Sequence, residues 1–313
     1  MNDNYLHQSV LAREAITMLD PRRGEVFIDA TVGGGGHALA IAALLAPGGI
    51  LVGIDRDPTA IETARPKLAA VDGITVHLVR DNFANLAGIL KKLDLARIDG
   101  ALFDLGISSP QLDRGERGFS YQHDAPLDMR MDPGQSMTAY ELLNQTSEAE
   151  LAGIIRRYGE EPWAGRIAEF IVKQRMQKHI STTWQLVEII KAAIPAGVRR
   201  KGPHPARRTF QAIRIAVNGE LDALQAVLAD CIDLLKAGGR LAVITFHSLE
   251  DRIVKTEFQK RARKCSCPPL LPVCRCGGAT VKILTKHPIT AGPVELADNP
   301  RARSAKLRVL TKL

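Results

Sequence analysis

Short apolar runs alternate with amphipathic stretches along the first third of the chain. Four runs rich in Val, Ile and Leu predict buried strands, at residues 25–30, 50–55, 74–79 and 98–105. The segments between them carry the apolar spacing that is typical of helices. Strands that alternate with helices in this way predict a parallel sheet covered on both faces, and therefore an α/β fold.

The alternation stops after the fourth strand. Residues 106–134 are rich in Gly, Asp and Pro and predict a loop. Helical patterns follow it, at 139–144, 147–158, 163–178 and 183–194. We therefore predict an inserted, mainly helical subdomain of residues 106–205 within a sheet domain of residues 1–105 and 206–313.

The strand and helix pattern resumes in the last third of the chain. A helix from Glu220 to Leu235 is predicted to end at Gly238-Gly239, and a fifth strand follows at 240–246. Two further strand-like runs, at 280–285 and 305–310, predict a hairpin-like pair at the edge of the sheet.

A glycine-rich turn follows the first predicted strand. Gly33, Gly35 and Ala38 fit the G-x-G-x-x-G/A pattern, in which glycine lets the backbone turn sharply and approach a ligand closely. Asp55 ends the second strand and lies 19 residues after Gly36, where nucleoside-binding βαβ units place an acid on the ribose hydroxyls. The turn and the acid together predict a site for a nucleoside-containing cofactor.

Other polar and aromatic residues follow the same strand ends, where ligands of such sheets bind. Asp104 ends an otherwise apolar strand and is the strongest catalytic candidate. Phe83 can stack on an adenine or pack in the core, and His37 can bind a ligand carboxylate or be a polar turn residue. Gln111 can reach the polar end of a cofactor, and His247 is either a participant or a structural histidine.

Charge is distributed unevenly along the chain, whose net charge is +8. Residues 1–150 have a net charge of −8 and residues 216–251 of −4, whereas residues 151–215 have +9 and residues 252–313 have +11. Two basic segments predict a polyanionic partner such as a nucleic acid, and solvated helix faces are the alternative interpretation. The polar start of the chain and the lack of a long apolar run predict a cytoplasmic protein without a membrane span.

Four of the five cysteines form a C-x-C-x6-C-x-C pattern, made by Cys265, Cys267, Cys274 and Cys276. In a cytoplasmic chain this pattern does not predict disulfides. Four thiolates can hold a structural zinc ion, but C-x-C is tighter than the usual C-x2-C spacing. Free thiols are therefore the preferred interpretation, and we predict no metal.

Long strings of the sequence resemble the bacterial 16S ribosomal RNA cytosine-N4 methyltransferases, the RsmH/MraW family. The strings are Asp104–Asp113 with Arg117–Ser120 and Pro126–Asp132, then Arg208–Asn218, Phe246–Arg252 and Asn299–Ser304. The resemblance extends over nearly the whole chain. It implies a Rossmann-like class I fold that uses S-adenosylmethionine (SAM), with an inserted all-helical subdomain for substrate recognition.

The family resemblance also implies the reaction and the cofactor contacts. The reaction is methylation of the exocyclic N4 of a cytidine, at position 1402 of the 16S RNA of the small ribosomal subunit. The implied cofactor-binding residues are Gly35, Gly36, His37, Asp55, Phe83, Asp104 and Gln111. A homodimer is compatible with the sequence.

The expected chemistry is direct in-line methyl transfer. An acceptor near N4 would favour a pyramidal nitrogen, and Asp104, Ser108, Ser109 and a backbone carbonyl of this loop are the candidates. Related amino methyltransferases commonly carry a Pro-Pro-aromatic turn at this strand end, which this chain lacks. The expected phosphate contacts are Arg199, Arg200, Lys201, Arg207, Arg208, Arg261, Arg263 and Lys264.

Three other classes of protein fit parts of the pattern. A nicotinamide- or flavin-dependent oxidoreductase would share the glycine turn and the acid, but binding of NAD instead of SAM would identify it. A non-catalytic RNA-binding or assembly factor would lack methyl transfer. A DNA amino methyltransferase is disfavoured by the missing Pro-Pro-aromatic turn.

Overall fold

A computed structural model describes residues 9–108, 111, 115–200, 202–263 and 278–313. The chain divides into two compact units. Unit 1 comprises Met1–Gly106 and Leu221–Leu313, and unit 2 comprises Ile107–Glu220. The sequence places the second boundary at residue 206, and the two compact units divide after Glu220.

The helices and strands have the following bounds. The strands are β1 (Val26–Asp29), β2 (Ile50–Asp55), β3 (Thr75–Arg80), β4 (Ile98–Asp104), β5 (Leu235–Thr245), β6 (Val281–Ile283) and β7 (Lys306–Lys312). The helices are α1 (Ala12–Leu19), α2 (Gly36–Leu45), α3 (Pro58–Ala69), α4 (Leu86–Lys92), α5 (Ala139–Gln145), α6 (Glu148–Gly159), α7 (Ala164–Arg175), α8 (Thr183–Ala193), α9 (Ala196–Arg199), α10 (Arg207–Asn218), α11 (Glu220–Leu234), α12 (Ser248–Arg261) and α13 (Pro293–Asp298).

In the described part of unit 1, the strands form one seven-stranded sheet of order β3-β2-β1-β4-β5-β7-β6. The pairs among β1 to β5 are parallel, while β7 runs antiparallel to both β5 and β6. This confirms the predicted Rossmann-like α/β sheet and its edge pair. The strand order reverses between β1 and β4, and such a switch point opens a crevice at the carboxyl ends of the strands.

The sheet carries a hydrophobic core on each face, because successive strand residues point to opposite sides. Phe27 packs with Ile41 and other residues of one cluster. The next residue, Ile28, packs with Leu224 and other residues of the second cluster. This arrangement explains why the strands are almost continuously apolar in sequence.

The start of β5 differs from the sequence prediction. Helix α11 ends at Leu234, and Leu235 already pairs with Ile98 in the sheet. The next pair joins Gly100 to Arg240, so the intervening residues, with Gly238 at φ +84°, form a bulge in the strand. Gly238-Gly239 therefore shapes a strand irregularity and does not end the helix.

Unit 2 is built mainly from helices around its own core, as predicted. Leu143, Ile155, Ile167 and Ile190 from four successive helices are completely buried in this core. Phe210 of α10 belongs to the same cluster, and its burial explains why α10 is part of unit 2. In the described part of the chain, no helix combines the length and apolar character needed to cross a bilayer.

Candidate active site

The glycine turn after β1 is tied to the end of β2 through one carboxylate. Asp55 Oδ2 accepts a hydrogen bond from the Gly33 amide at 2.9 Å, and Asp55 Oδ1 accepts one from the Asp57 amide at 2.9 Å. Burial raises the pKa of Asp55, while these two backbone bonds favour its ionised form. The acid thus holds the turn and β2 together at the switch point.

Three of the four glycines in the turn have a steric reason. Gly33 and Gly35 have φ values of +48° and +82°, a region that side chains disfavour. A Cβ on Gly36 would lie 2.1 Å from Ser9 Oγ, so a side chain there would clash. A Cβ on Gly34 would meet nothing within 4 Å. The backbone at Gly34 is therefore open to a ligand, which fits the predicted nucleoside cofactor.

His37 and Asp104 form an ion pair at the carboxyl end of the sheet. His37 Nε2 lies 3.5 Å from Asp104 Oδ2, at side-chain exposures of 5% and 24%. Burial lowers the pKa of His37, but the carboxylates of Asp104 and Asp29 and the Val10 carbonyl outweigh it and raise this pKa above its usual value. The structure thus brings together two of the residues predicted to bind the cofactor.

Asp29 completes this cluster, although the sequence analysis did not single it out. Its side chain is almost fully buried at the end of β1. Its Oδ1 accepts a hydrogen bond from the Thr31 amide, and Thr31 Oγ1 accepts one from the Asp104 amide at 2.7 Å. A charged residue at the end of an apolar strand was the available signal, the same one that identified Asp104.

The cluster also holds polar atoms that call for a further partner. Asp29 Oδ2 and Asp104 Oδ1 are buried and accept no hydrogen bond from the described residues. Burial raises the pKa of Asp29 to about 7, against the opposing effects of His37 and the Thr31 amide. Buried oxygens of this kind normally have a donor, so they fit a ligand that brings amino or hydroxyl groups.

Phe83 lies directly after β3 and has a role in the core. Its ring makes an edge-to-face contact with Phe103 at 5.6 Å between centroids and 78° between planes. It is 9% exposed, within the cluster on one face of the sheet. The packing role is thus observed, and stacking on an adenine stays a prediction.

Ser108 and Gln111 belong to unit 2 and form a local turn. The backbone amide of Gln111 donates to the Ser108 carbonyl, and the backbone amide of Ser108 donates to Gln111 Oε1, both at 3.1 Å. The Gln111 side chain is buried at 6% exposure. Ser109 lies outside the described residues, so its predicted role is carried by the sequence alone.

His247 has a structural role as the N-cap of α12. Its Nδ1 accepts a hydrogen bond from the Glu250 amide, and the Glu250 side chain accepts one from the His247 amide at 3.2 Å. This reciprocal arrangement is a capping box. The structure therefore shows a structural role for His247, and its catalytic role stays a prediction.

The predicted phosphate contacts differ in their surroundings. Arg199, Arg200, Arg207 and Arg208 are all exposed in unit 2. In unit 1, Arg263 is exposed, but Arg261 forms ion pairs with Asp233 at 2.9 Å and Glu257 at 3.0 Å. Its guanidinium is therefore less available to a phosphate than the sequence suggested.

Several predicted residues lie outside the described part of the chain. They are Lys201, Lys264, Cys265, Cys267, Cys274 and Cys276. The described residues contain no group of three or more His, Cys, Asp or Glu side chains arranged to hold a metal ion.

Comparison with known proteins identifies the family. Three relatives are each named ribosomal RNA small subunit methyltransferase H. The protein of Symbiobacterium thermophilum is 56% identical over 98% of this chain and 96% of its own. That of Brevibacillus brevis is 53% identical over 99% of both chains, and that of Heliobacterium modesticaldum 53% identical over 98% of both. A model of the MraW methylase family matches residues 4–313, and the chain therefore belongs to that family.

Proposed function

We propose that this chain transfers a methyl group from SAM to N4 of a cytidine in the 16S RNA of the small ribosomal subunit. Membership of the MraW methylase family and relatives named for small-subunit RNA methylation support the reaction and the substrate. The observation that carries the proposal is the cluster of Asp29, His37 and Asp104 beside the Asp55-tied glycine turn. In this proposal, the cluster would offer acceptors for a nucleoside and for an amino group at one switch point.

The cofactor contacts follow from this arrangement. Asp55 would accept hydrogen bonds from the ribose hydroxyls, and Phe83 would lie against the adenine. His37, with the backbone of Gly35 and Gly36, would face the methionine end, where a raised imidazole pKa favours binding of a carboxylate. A polar contact from Gln111 stays a prediction of the family resemblance. SAM supplies a sulfonium-bound methyl group that is already electrophilic.

The nucleophile is the harder problem, because the lone pair of cytosine N4 is conjugated with the ring. Asp104 Oδ1 is buried and accepts no hydrogen bond from the described residues, so it can accept one from the amino group. That bond would favour a pyramidal nitrogen, and the methylated nitrogen would lose its proton afterwards. Ser108 and Ser109 are the other candidates for this acceptor. Alignment of the reactants can contribute on the order of 7–11 kcal/mol.

The RNA has to present an unstacked base, because an exocyclic amino group within a helix cannot reach the donor. Single-stranded or splayed RNA is therefore the expected target. The exposed arginines of unit 2 and Arg263 would contact its phosphates, together with Lys201 and Lys264. Because the proposed substrate belongs to the ribosome, we propose that the protein acts in the cytoplasm. A homodimer stays a prediction that light scattering of the purified protein can test.

Two measurements test the proposed function. Calorimetric titration should show binding of SAM and no binding of NAD. Purified protein should transfer radiolabelled methyl groups to small subunits from cells that lack the gene, and mass spectrometry should locate the label on a cytidine N4. Binding of NAD in place of SAM would indicate an oxidoreductase. SAM binding without transfer would indicate a non-catalytic RNA-binding factor, and transfer to DNA alone would indicate a DNA enzyme.

Asp104→Asn tests the acceptor in the same assays. We expect methyl transfer to fall by about 10- to 100-fold, since one hydrogen bond to a charged group is lost in the transition state. The affinity for SAM should fall by less. Equal losses of transfer and affinity would mean that Asp104 binds the cofactor without acting on N4.

A further inference from the structure

An aromatic stack in unit 2 is formed by residues that have no role assigned so far. The rings of Tyr121 and His204 are parallel to within 6°, and their centroids are 4.6 Å apart. Tyr121 also meets the ring of Phe210 edge-to-face at 5.7 Å. Phe210 is buried in the core of unit 2, Tyr121 is half-buried and His204 is exposed. The three rings thus lead from the core to the surface.

Backbone contacts hold both members of the stack in place. His204 Nδ1 accepts a hydrogen bond from the Ala206 amide at 3.3 Å, just before α10. On the other side, Thr183 Oγ1 donates to the His123 carbonyl at 2.7 Å and accepts from the Ala125 amide at 3.0 Å. These bonds fasten the segment that follows Tyr121 to the start of α8. The stack is therefore formed before any ligand arrives.

The exposed ring at the end of the stack is neutral near physiological pH. Partial burial, with the charge of Lys191, lowers the pKa of His204. Tyr121 covers one face of the imidazole, and His204 as a whole remains exposed. A flat, uncharged ring of this kind can stack with another aromatic ring at little desolvation cost.

A second tyrosine–histidine pair in unit 2, called the closed pair here, is joined through its polar groups. Tyr140 Oη and His179 Nδ1 are joined by a hydrogen bond of 2.8 Å, and their rings are tilted by 57° with centroids 6.0 Å apart. The polar groups of that pair satisfy each other. The Tyr121–His204 pair is instead stacked face to face, and its histidine is exposed.

Positive charge surrounds the stack in the sequence. Arg199 and Arg200 precede His204, and Arg207 and Arg208 follow it, all of them exposed. Proteins bind single-stranded nucleic acid with this combination of cations for the phosphates and aromatic rings on which bases stack. An acidic peptide would also be attracted by the arginines, but its carboxylates would not stack on the exposed ring.

We propose that the Tyr121–His204 stack is a platform for one unpaired base of the RNA. The base would lie on the exposed face of His204, and the adjoining phosphates would lie near the arginines. This inference rests on the proposed function, because it takes the small-subunit RNA as the substrate.

The KM for unmethylated small subunits tests the platform, with the full-length chain and saturating SAM. Stacking of one base on an aromatic side chain contributes enough that His204→Ala should raise KM by about 5- to 150-fold with a smaller change in kcat. His204→Phe should restore the wild-type KM, because it keeps the flat ring. His204→Lys should not, because it supplies only charge. His179→Ala, in the closed pair, is the matched control and should leave KM unchanged.

The outcomes separate the platform from the proposed function. An unchanged KM in a folded His204→Ala protein would overturn the platform while the wild-type enzyme remains active. Rescue by His204→Lys as complete as rescue by His204→Phe would also overturn it, because charge alone would then explain the effect. Failure of the wild-type protein to methylate small subunits would instead overturn the proposed function.

Discussion

Asp29 shows how a carboxyl group can be kept inside a folded protein by retaining its proton. Its carboxyl group shares the interior of unit 1 with Asp104 and His37, and burial raises its pKa to about 7, although His37 opposes this rise. Burying an ionised carboxylate costs free energy, so the Asp29 carboxyl group retains its proton at pH values well above the ordinary pKa of an aspartate. The cluster therefore changes its charge near neutral pH.

The pH dependence of stability should reveal this proton. Between about pH 4 and pH 7 the folded protein keeps the Asp29 proton that the unfolded chain has lost, so its free energy of unfolding falls as pH rises. Asn cannot titrate, and Asp29→Asn also weakens the rise in the His37 pKa. From about pH 5 to about pH 7, we expect the stability of the variant relative to wild type to increase on the order of 1–2 kcal/mol, measured by urea unfolding.

Asp72→Asn provides the control, because Asp72 is an exposed carboxylate of the same unit. The stability of Asp72→Asn relative to wild type should be nearly the same at about pH 5 and about pH 7. A pH-independent difference for Asp29→Asn as well would show that Asp29 is ionised throughout this range.

At the residue scale, the sequence shows which polar residues end the strands, but it does not show their contacts. Asp55 and Asp104 could be predicted, because a carboxylate at the end of an apolar strand has few structural reasons to be there. Asp29 satisfied the same rule but was overlooked beside the glycine turn. The ion pair of His37 with Asp104 could not be predicted, because it joins side chains from α2 and β4.

At the element scale, strands and helices followed the hydrophobic pattern closely. The central strands are buried on both faces, which requires continuous apolar runs that are visible in the sequence. The exception is the junction of α11 and β5, where Gly238-Gly239 predict the end of a helix but lie within a strand. There, pairing with Gly100 of β4 fixes Arg240 in the sheet, and the preceding residues form a bulge. Sequence patterns do not report such a register.

The capping box of α12 leads to a prediction about His247. Asn at an N-cap accepts the same backbone hydrogen bond, so His247→Asn should change the free energy of unfolding by less than about 0.5 kcal/mol, whereas His247→Ala should lower it by about 1 kcal/mol. We expect His247→Asn to retain methyl transfer. The measurements are chemical unfolding and the radiolabel assay on the same preparations.

The two variants separate structure from chemistry at this position. A large loss of methyl transfer in His247→Asn at unchanged stability would assign His247 to catalysis, as the sequence analysis had predicted. Equal stability of His247→Ala and wild type would show that the cap contributes little.

At the scale of the whole molecule, the sequence predicts an inserted helical segment that ends at residue 205, whereas unit 2 extends to Glu220. The strand and helix pattern could not show that α10 packs in unit 2, because its apolar face would suit either unit. The sequence shows where the basic residues lie along the chain, but it does not show which of them pair with acidic side chains. Arg261 contributes to the basic tail in the sequence, yet in the structure it is engaged by Asp233 and Glu257.

The exposed arginines of unit 2 lead to a prediction about salt. Each phosphate contact to single-stranded RNA releases bound counterions, so the logarithm of affinity falls with the logarithm of salt concentration by about 0.7 per contact. The double variant Arg207→Gln, Arg208→Gln should therefore reduce that slope by about 1.4, measured by anisotropy with an RNA that spans the target cytidine.

The matched control removes two charges from unit 1, where Lys91 and Lys92 are exposed in the last turn of α4. If unit 2 holds the RNA backbone, Lys91→Gln with Lys92→Gln should leave the slope unchanged, although the net charge falls by the same amount. Equal slopes for both double variants and the wild type would show that Arg207 and Arg208 contact no phosphate. Equal reductions in both would mean that overall charge, and not a defined surface of unit 2, attracts the RNA.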